Sequence, residues 1–295
     1  MGKTGEKQLG AWGLCAFSVP AILFLPQTGW ESVLLVTLGS AMVVIFGRVV
    51  TGSVGWALSL PVILWNGAII GKVAWEISTL YGIGNPLPGL LLLLLAAYGT
   101  KEARLPVMAS VISFFLIGIY GILYLFAIPD IDIRRLMPER ESEIGMVAYG
   151  FMPLLLLYVY RTEERKQRCP WMGIGALLAL GAAVITEGVG AKDFYTAAKS
   201  VNLFGAMERL EPFVAAAVTA GGFCLMGLLI KVNENLWEYR QKEKMIRLQN
   251  LILPLSLAVC ILASRIPDEV WAMGTTLCWG LIPIITQFVV HKKKE

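Results

Sequence analysis

Long apolar stretches separated by short polar or charged connections run through this chain from end to end. A membrane-spanning helix needs about 20 mostly apolar residues, because the hydrocarbon core of a bilayer is about 30 Å thick. The fourth and ninth stretches are short, and the fourth fits either a tilted span or a buried segment. The pattern predicts ten spans, at residues 9–25, 31–50, 54–79, 87–99, 105–127, 145–160, 171–190, 210–231, 250–264 and 269–290.

Two of these spans contain residues that interrupt helices. Ser18-Val19-Pro20-Ala21 lies within the first span, and Tyr149-Gly150-Phe151-Met152-Pro153 lies within the sixth. Because the first and sixth spans are equivalent positions in two halves of five, the pattern predicts an inverted repeat with discontinuous helices and a ligand site between them. A kink without function is the alternative for either break alone, since proline and glycine are frequent in membrane helices.

Composition places the chain in the membrane class. Hydrophobic residues make up 57% and charged residues 16%, and the mean hydropathy is +0.68, values outside the range of soluble domains. We therefore expect an all-α integral membrane protein with ten transmembrane helices in a 5+5 inverted repeat. The whole chain, 1–295, forms a single transmembrane domain in this interpretation, with repeat one at about 8–127 and repeat two at about 145–290.

The distribution of basic residues predicts the orientation. With the N-terminus inside, 17 of the 25 Lys and Arg residues fall on the cytoplasmic side and seven on the outer side, as the positive-inside rule requires. Both termini are then cytoplasmic. The outer connection Val189–Met207 is apolar enough to lie over the bundle as a lid, and the inner connection Val232–Gln249 resembles an amphipathic surface helix.

The chemistry-bearing residues exclude several classes of protein. The one histidine, His291, lies in a basic tail, and the five cysteines are scattered without a ligand spacing. No nucleotide-binding loop, nucleophile elbow or zinc-protease motif is present in the sequence. We therefore expect no enzyme activity, no metal and no cofactor, and the basic residues in short loops do not indicate a nucleic-acid partner.

Polar side chains within the spans extend the candidate site. Freed amides at a helix break suit a carboxylate, and freed carbonyls suit a cation or an ammonium group. Asn66 and Thr219 each need a partner or a ligand at their depth, and Phe223 shares a helix face with Thr219. Helix-to-helix hydrogen bonding is the alternative for Asn66. Lys72 is costly in lipid, which indicates either an outer gate or a side chain that snorkels to the surface.

At several places the chain resembles the B-subunit permeases of spore germinant receptors, within the amino acid, polyamine and organocation transporter superfamily. The resemblance runs over nearly the whole chain, and the Arg-x-Glu opening of the eighth span is its most distinctive piece. It is carried by Lys7-Gln8-Leu9, by Phe24-Leu25-Pro26 followed by Trp30, by Phe194-Tyr195-Thr196-Ala197-Ala198-Lys199-Ser200-Val201-Asn202, and by Glu208-Arg209-Leu210-Glu211.

This resemblance implies ten helices in two inverted repeats, with helices one and six unwound around a central site. It also implies a small germinant, often an amino acid, and assembly with A-type and C-type subunits in the spore inner membrane. Met152 stands where many members carry glutamate, and the fifth span has no lysine for proton coupling. The ligand would lie near Ser18, Val19, Pro20, Ala21, Asn66, Tyr149, Gly150, Phe151, Thr219 and Phe223, with Lys72 as a possible gate.

The leading hypothesis is therefore a membrane subunit of a spore germinant receptor, which binds a small germinant between the broken helices and triggers germination. An amino acid permease of the same superfamily, with Na⁺ or H⁺ as a possible coupling ion, is the alternative. A scaffold subunit without a ligand is a third. Sensing and transport share their early steps, so the sequence leaves both open. The expected location is the spore inner membrane or the cell membrane.

Overall fold

A computed structural model describes most of the chain, and all regular structure in the described part is helical. Each of the ten predicted apolar stretches contains a helix there, as expected for segments that must satisfy their own backbone groups in lipid. The all-α class is thus confirmed. The described residues are 3–24, 29–47, 56–80, 85–101, 105–137, 146–159, 169–192, 194–200, 211–238 and 249–292.

The helices follow the predicted order closely. Those of the first half are α1 (Lys3–Phe24), α2 (Trp30–Phe46), α3 (Trp56–Leu80), α4 (Leu87–Lys101) and α5 (Leu105–Ala127). Those of the second half are the 3₁₀ helix Met146–Tyr158, α6 (Cys169–Val189), α7 (Phe194–Ser200), α8 (Glu211–Glu238) and α9 (Gln249–Leu262). The last rod consists of α10 (Asp268–Thr275), the π segment Thr276–Leu281 and α11 (Ile282–Lys292), which follow one another without a gap.

Four helical segments in the described part are long and apolar enough to cross a membrane: Leu60–Leu80, Pro170–Val189, Val214–Trp237 and Asp268–Phe288. Six further apolar helices have 10–17 residues in the part described. Large side chains on the outer faces of α2, α4 and α5 are exposed, among them Leu35, Leu91 and Leu125. Such faces suit a hydrocarbon environment, and the structure is compatible with a membrane protein.

The predicted break in the first span is wrong, because α1 runs through Pro20 as one helix. Pro20 removes a single backbone donor, and the Ser18 hydroxyl turns back to donate to the Leu14 carbonyl at 2.8 Å. Residues 10–22 of this helix are all buried. Tertiary packing of this buried helix offsets the lost bond, since helix stability in proteins comes mostly from tertiary contacts.

The predicted break in the sixth span is also wrong; the segment winds more tightly instead, as a 3₁₀ helix of 13 residues. In this geometry each amide donates to the carbonyl three residues earlier, so Pro153 leaves the Gly150 carbonyl without a backbone donor. The Ser40 hydroxyl of α2 donates to that carbonyl at 3.0 Å. A side chain on Gly150 would lie 2.8 Å from Val36, so glycine permits α2 to approach closely enough for this bond.

Two helices form the centre of the bundle. α1 packs against α5, α6, α8 and the 3₁₀ helix, and α3 packs against α4, α8 and α9. Glycines allow these backbones to approach: a methyl group on Gly175 would lie 2.9 Å from the Leu14 carbonyl, and one on Gly71 would lie 2.5 Å from the Ser256 carbonyl. Small residues at helix contacts are typical of membrane bundles, where van der Waals packing replaces the hydrophobic effect.

Both connections singled out in the sequence have partial structure. α8 continues to Glu238 with Leu236 buried, so the amphipathic helix predicted from Val232 begins as the end of α8, and its residues 239–248 lie outside the described part. The predicted lid contains α7, which packs on α6 and α8. Phe194 is buried there and meets the Tyr120 ring edge-on at 5.8 Å, which anchors α7 to the bundle.

Candidate functional site

A cavity of about 600 Å³ opens at one end of the bundle. The C-terminal ends of α1 and α3 line it, together with the start of the 3₁₀ helix, α7, α8 and α10. Its volume lies within the range of about 300–1,000 Å³ that small-molecule sites occupy. By the orientation predicted from loop charges, this is the outer end of the bundle.

Lys72 is the central charged group of the cavity. Its side chain is only 8% exposed, and its Nζ lies 3.3 Å from Asp268 Oδ1 of α10 and 3.9 Å from Glu76 Oε1, one turn further along α3. A buried ammonium is strongly unfavourable without such partners. The pair across α3 and α10 therefore satisfies the charge and ties two helices together at the cavity mouth.

Three aromatic rings surround the same ammonium. Lys72 Nζ lies 5.0 Å from the ring centre of Trp271, 5.7 Å from Tyr149 and 5.9 Å from Phe24. The rings of Phe24 and Tyr149 stack at 4.8 Å, and Trp271 packs at 5.5 Å against Trp65. Electron-rich ring faces within about 6 Å attract a cation, so the rings and the two carboxylates act on the same charge.

The Tyr149 hydroxyl is buried on the cavity wall and has no hydrogen-bond partner among the described residues. The Thr275 hydroxyl is close enough to interact with it electrostatically, but the pair lacks hydrogen-bond geometry. Thr275 instead donates to the Trp271 carbonyl at 2.7 Å and accepts from Trp65 Nε1 at 3.3 Å. An unpaired buried hydroxyl costs about 1–3 kcal/mol.

Two further lysines line the cavity. Lys192 follows α6, and Lys199 lies on α7 with its Nζ 4.7 Å from the ring centre of Tyr195. Apolar side chains, including Ile22, Leu23 and Val218, also line the cavity. The lining thus combines carboxylates, ammonium groups and apolar surface, a composition that suits a molecule carrying both signs of charge.

Of the residues predicted for the site, Lys72 and Tyr149 line this cavity. The predicted α1 residues lie deeper: Ser18, Val19 and Ala21 are buried, and Pro20 lies within the same continuous stretch of helix. The next turn, Ile22 to Phe24, reaches the cavity instead. The cavity therefore lies about one helical turn beyond the predicted α1 residues, toward the end of the bundle.

Gly150, Phe151, Thr219 and Phe223 also lie outside the cavity lining. The Gly150 carbonyl accepts a hydrogen bond from the Ser40 hydroxyl. The Phe151 ring packs closely on Gly280, where an added Cβ would lie 3.2 Å from the ring. Thr219 donates to the Ala215 carbonyl of its own helix at 2.7 Å, and Phe223 is 7% exposed within the core. Their neighbour Val218 lines the cavity in their place.

Asn66 belongs to a buried hydrogen-bonded cluster, the alternative that the sequence left open. Its Nδ2 donates to Asn233 Oδ1 at 2.8 Å, and its Oδ1 accepts from Trp279 Nε1 at 2.7 Å. Asn233 in turn donates to the Ile63 carbonyl at 3.4 Å. All three side chains are fully buried, so this cluster joins α3, α8 and the π segment and takes no part in the cavity.

Sequence reasoning missed the acidic and basic partners of the cavity. Glu76 follows Lys72 by four residues, a spacing that places both on one face of a helix and could have indicated the pair. Asp268 carries no such signal, since it lies 196 residues from Lys72. In the part of the chain that the structure describes, no group of three or more His, Cys, Asp or Glu side chains could hold a metal ion.

Comparison with known proteins adds no relative. A scan against models of protein families finds no match for this chain, and a search of curated proteins finds none either. The geometry of the cavity and the resemblance in sequence therefore carry the functional argument.

Proposed function

We propose that this protein is a ligand-sensing membrane subunit that binds a small zwitterion, such as an amino acid, in the cavity at the end of the bundle. The observation that carries the proposal is the set of charged groups in the cavity lining, which combines the carboxylates of Glu76 and Asp268 with the ammonium groups of Lys72, Lys192 and Lys199. A molecule that carries both signs of charge can pair with both kinds of group at once.

The charges of the cavity support a zwitterion. In the proposed complex, the ligand carboxylate faces Lys192 and Lys199, while its ammonium faces Glu76 and Asp268. The apolar surface of Ile22 and Val218 between them accommodates a short aliphatic side chain. Because several weak contacts act together, we expect specificity to depend on the spacing of the two charged groups rather than on any one pair.

The resemblance to B-subunit permeases of spore germinant receptors supports the biological setting. In this proposal the bundle has ten spans in a 5+5 inverted repeat, lies in the spore inner membrane, and assembles with A-type and C-type subunits. Germinant binding favours one arrangement of the helices over another, and a ligand can do this only through different affinities for the two. The salt bridge between Lys72 and Asp268 joins α3 to α10 at the cavity mouth, where such a change would act.

The test is binding and uptake measured side by side. The purified protein in nanodiscs is titrated calorimetrically with a panel of amino acids, and the same panel is tested for uptake into proteoliposomes. Binding without uptake supports the sensor. Uptake supports the alternative, an amino acid permease, and absence of binding to the whole panel overturns the proposed ligand class.

Two variants sharpen this test. Asp268→Asn should weaken binding about tenfold through loss of one charged contact to the ligand ammonium, and Lys72→Met should alter the affinity for the ligand if the ion pair to Asp268 gates the cavity. Lys231→Met is the matched control, because Lys231 pairs with Glu234 at 3.1 Å and does not line the cavity. If Lys72→Met and wild type bind the ligand with the same affinity in the titration, Lys72 does not act as a gate.

A further inference from the structure

The ammonium of Lys72 occupies a cage made by the rest of the protein. Buried rings of Phe24, Tyr149 and Trp271, each 2–4% exposed, face it at 5.0–5.9 Å. The carboxylates of Asp268 and Glu76 complete the cage at 3.3 and 3.9 Å. Aromatic rings combined with carboxylates are the arrangement by which proteins recognise amine and quaternary ammonium ligands.

The cage does not depend on Lys72 for its shape. Phe24 stacks on Tyr149 at 4.8 Å, Tyr149 meets Trp279 edge-on at 6.4 Å, and Trp271 packs on Trp65 at 5.5 Å. These contacts hold the rings against the core from behind. If the Lys72 side chain were withdrawn, the rings and carboxylates would remain, and the cavity of about 600 Å³ would give an external amine access to them.

We propose that this cage is an ammonium-binding subsite, and that Lys72 fills it as a tethered competitor in the ligand-free protein. An incoming primary amine must displace the Lys72 ammonium from Asp268 and the rings. Lys72 thereby determines which ligands bind. An amine must bind more favourably than the Lys72 ammonium, and it can do so only through additional contacts elsewhere in the cavity. The inference concerns the same cavity as the proposed function, but the cage can be tested without knowing the natural ligand.

The test replaces the tether by a free amine. Lys72→Ala retains Cβ, and propylammonium supplies the missing three carbons and the nitrogen. We expect propylammonium to raise the Tm of Lys72→Ala in a saturable manner, while 1-propanol at the same concentrations does not. Wild type and the control Lys231→Met should show no saturable shift. Trp271→Leu in the Lys72→Ala background should weaken the effect of propylammonium about tenfold, because one ring face is lost.

Lys72→Ser provides a second variant if Lys72→Ala does not fold. It removes Cδ, Cε and Nζ and leaves their space open to the cavity, so it should bind methylammonium where wild type does not. The inference is overturned if neither variant binds an amine, if wild type responds equally, or if 1-propanol replaces propylammonium. It is also overturned if the variants instead lose binding of acetate, since Lys72 would then recognise anions. If wild type binds none of the amino acids in the panel while the variants bind amines, only the proposed function is refuted.

Discussion

Two tyrosines in the bundle should respond in opposite ways to removal of the hydroxyl group. The Tyr149 hydroxyl is buried and lacks a hydrogen-bond partner in the described part of the chain. The Tyr124 hydroxyl donates to the Leu178 carbonyl of α6 at 2.5 Å. We therefore compare Tyr149→Phe with Tyr124→Phe, which remove the same atom from the same type of side chain.

The magnitudes follow from the cost of desolvating a hydroxyl. A satisfied intramolecular hydrogen bond contributes about 0.5–1.5 kcal/mol, and an unsatisfied buried polar group costs about 1–3 kcal/mol. Tyr124→Phe should therefore lower the free energy of unfolding by about 1 kcal/mol. Tyr149→Phe should raise it by about 1 kcal/mol without ligand, because the stack on Phe24 at 4.8 Å needs only the ring. The two variants should differ by about 2 kcal/mol.

The assay is reversible unfolding of the purified protein in mixed micelles of dodecyl maltoside and sodium dodecyl sulfate, followed by tryptophan fluorescence. This expectation is refuted if Tyr149→Phe is destabilised as much as Tyr124→Phe. That result would mean that the Tyr149 hydroxyl already makes a hydrogen bond in the folded protein.

Three further predictions concern hydrogen bonds elsewhere in the bundle and the topology of the chain. Asn66→Leu and Asn233→Leu should each lower the free energy of unfolding by about 1–2 kcal/mol. The double variant should cost less than the sum of the two, because both single variants remove the same hydrogen bond of 2.8 Å. Additive effects in a double-mutant cycle would contradict the cluster. Ser40→Ala should lower stability to unfolding by about 1 kcal/mol, since the Gly150 carbonyl then loses its donor at 3.0 Å, and an unchanged unfolding midpoint would show that water replaces it. A reporter fused after Lys294 should be cytoplasmic, and an outer location would refute the predicted topology.

The long apolar stretches were sufficient to predict the helical class and the order of the helices, since each segment must satisfy its own backbone hydrogen bonds in lipid. Lys72 was also identifiable in sequence, because a charge in an apolar span is a local signal, whereas Tyr149 was named only as part of the predicted break. The helix breaks at Pro20 and Pro153 were wrong for a shared reason. A neighbouring hydroxyl or tight packing compensates for one missing donor, and the compensating residue, such as Ser40, is distant in sequence.

The sequence by itself determined that this chain forms apolar helices and placed one lysine, Lys72, within an apolar span. Only the tertiary structure decided that its ammonium is buried and what surrounds it. Asp268 reaches Lys72 across 196 residues, and Trp271 approaches it because α10 packs beside the 3₁₀ helix. Periodicity specifies which face of a helix is apolar, whereas the partner of each face depends on packing of the whole bundle. For that reason Asn66 proved to be a structural hydrogen-bonding residue. The cavity likewise lies about one helical turn beyond Pro20, the position that the sequence indicated.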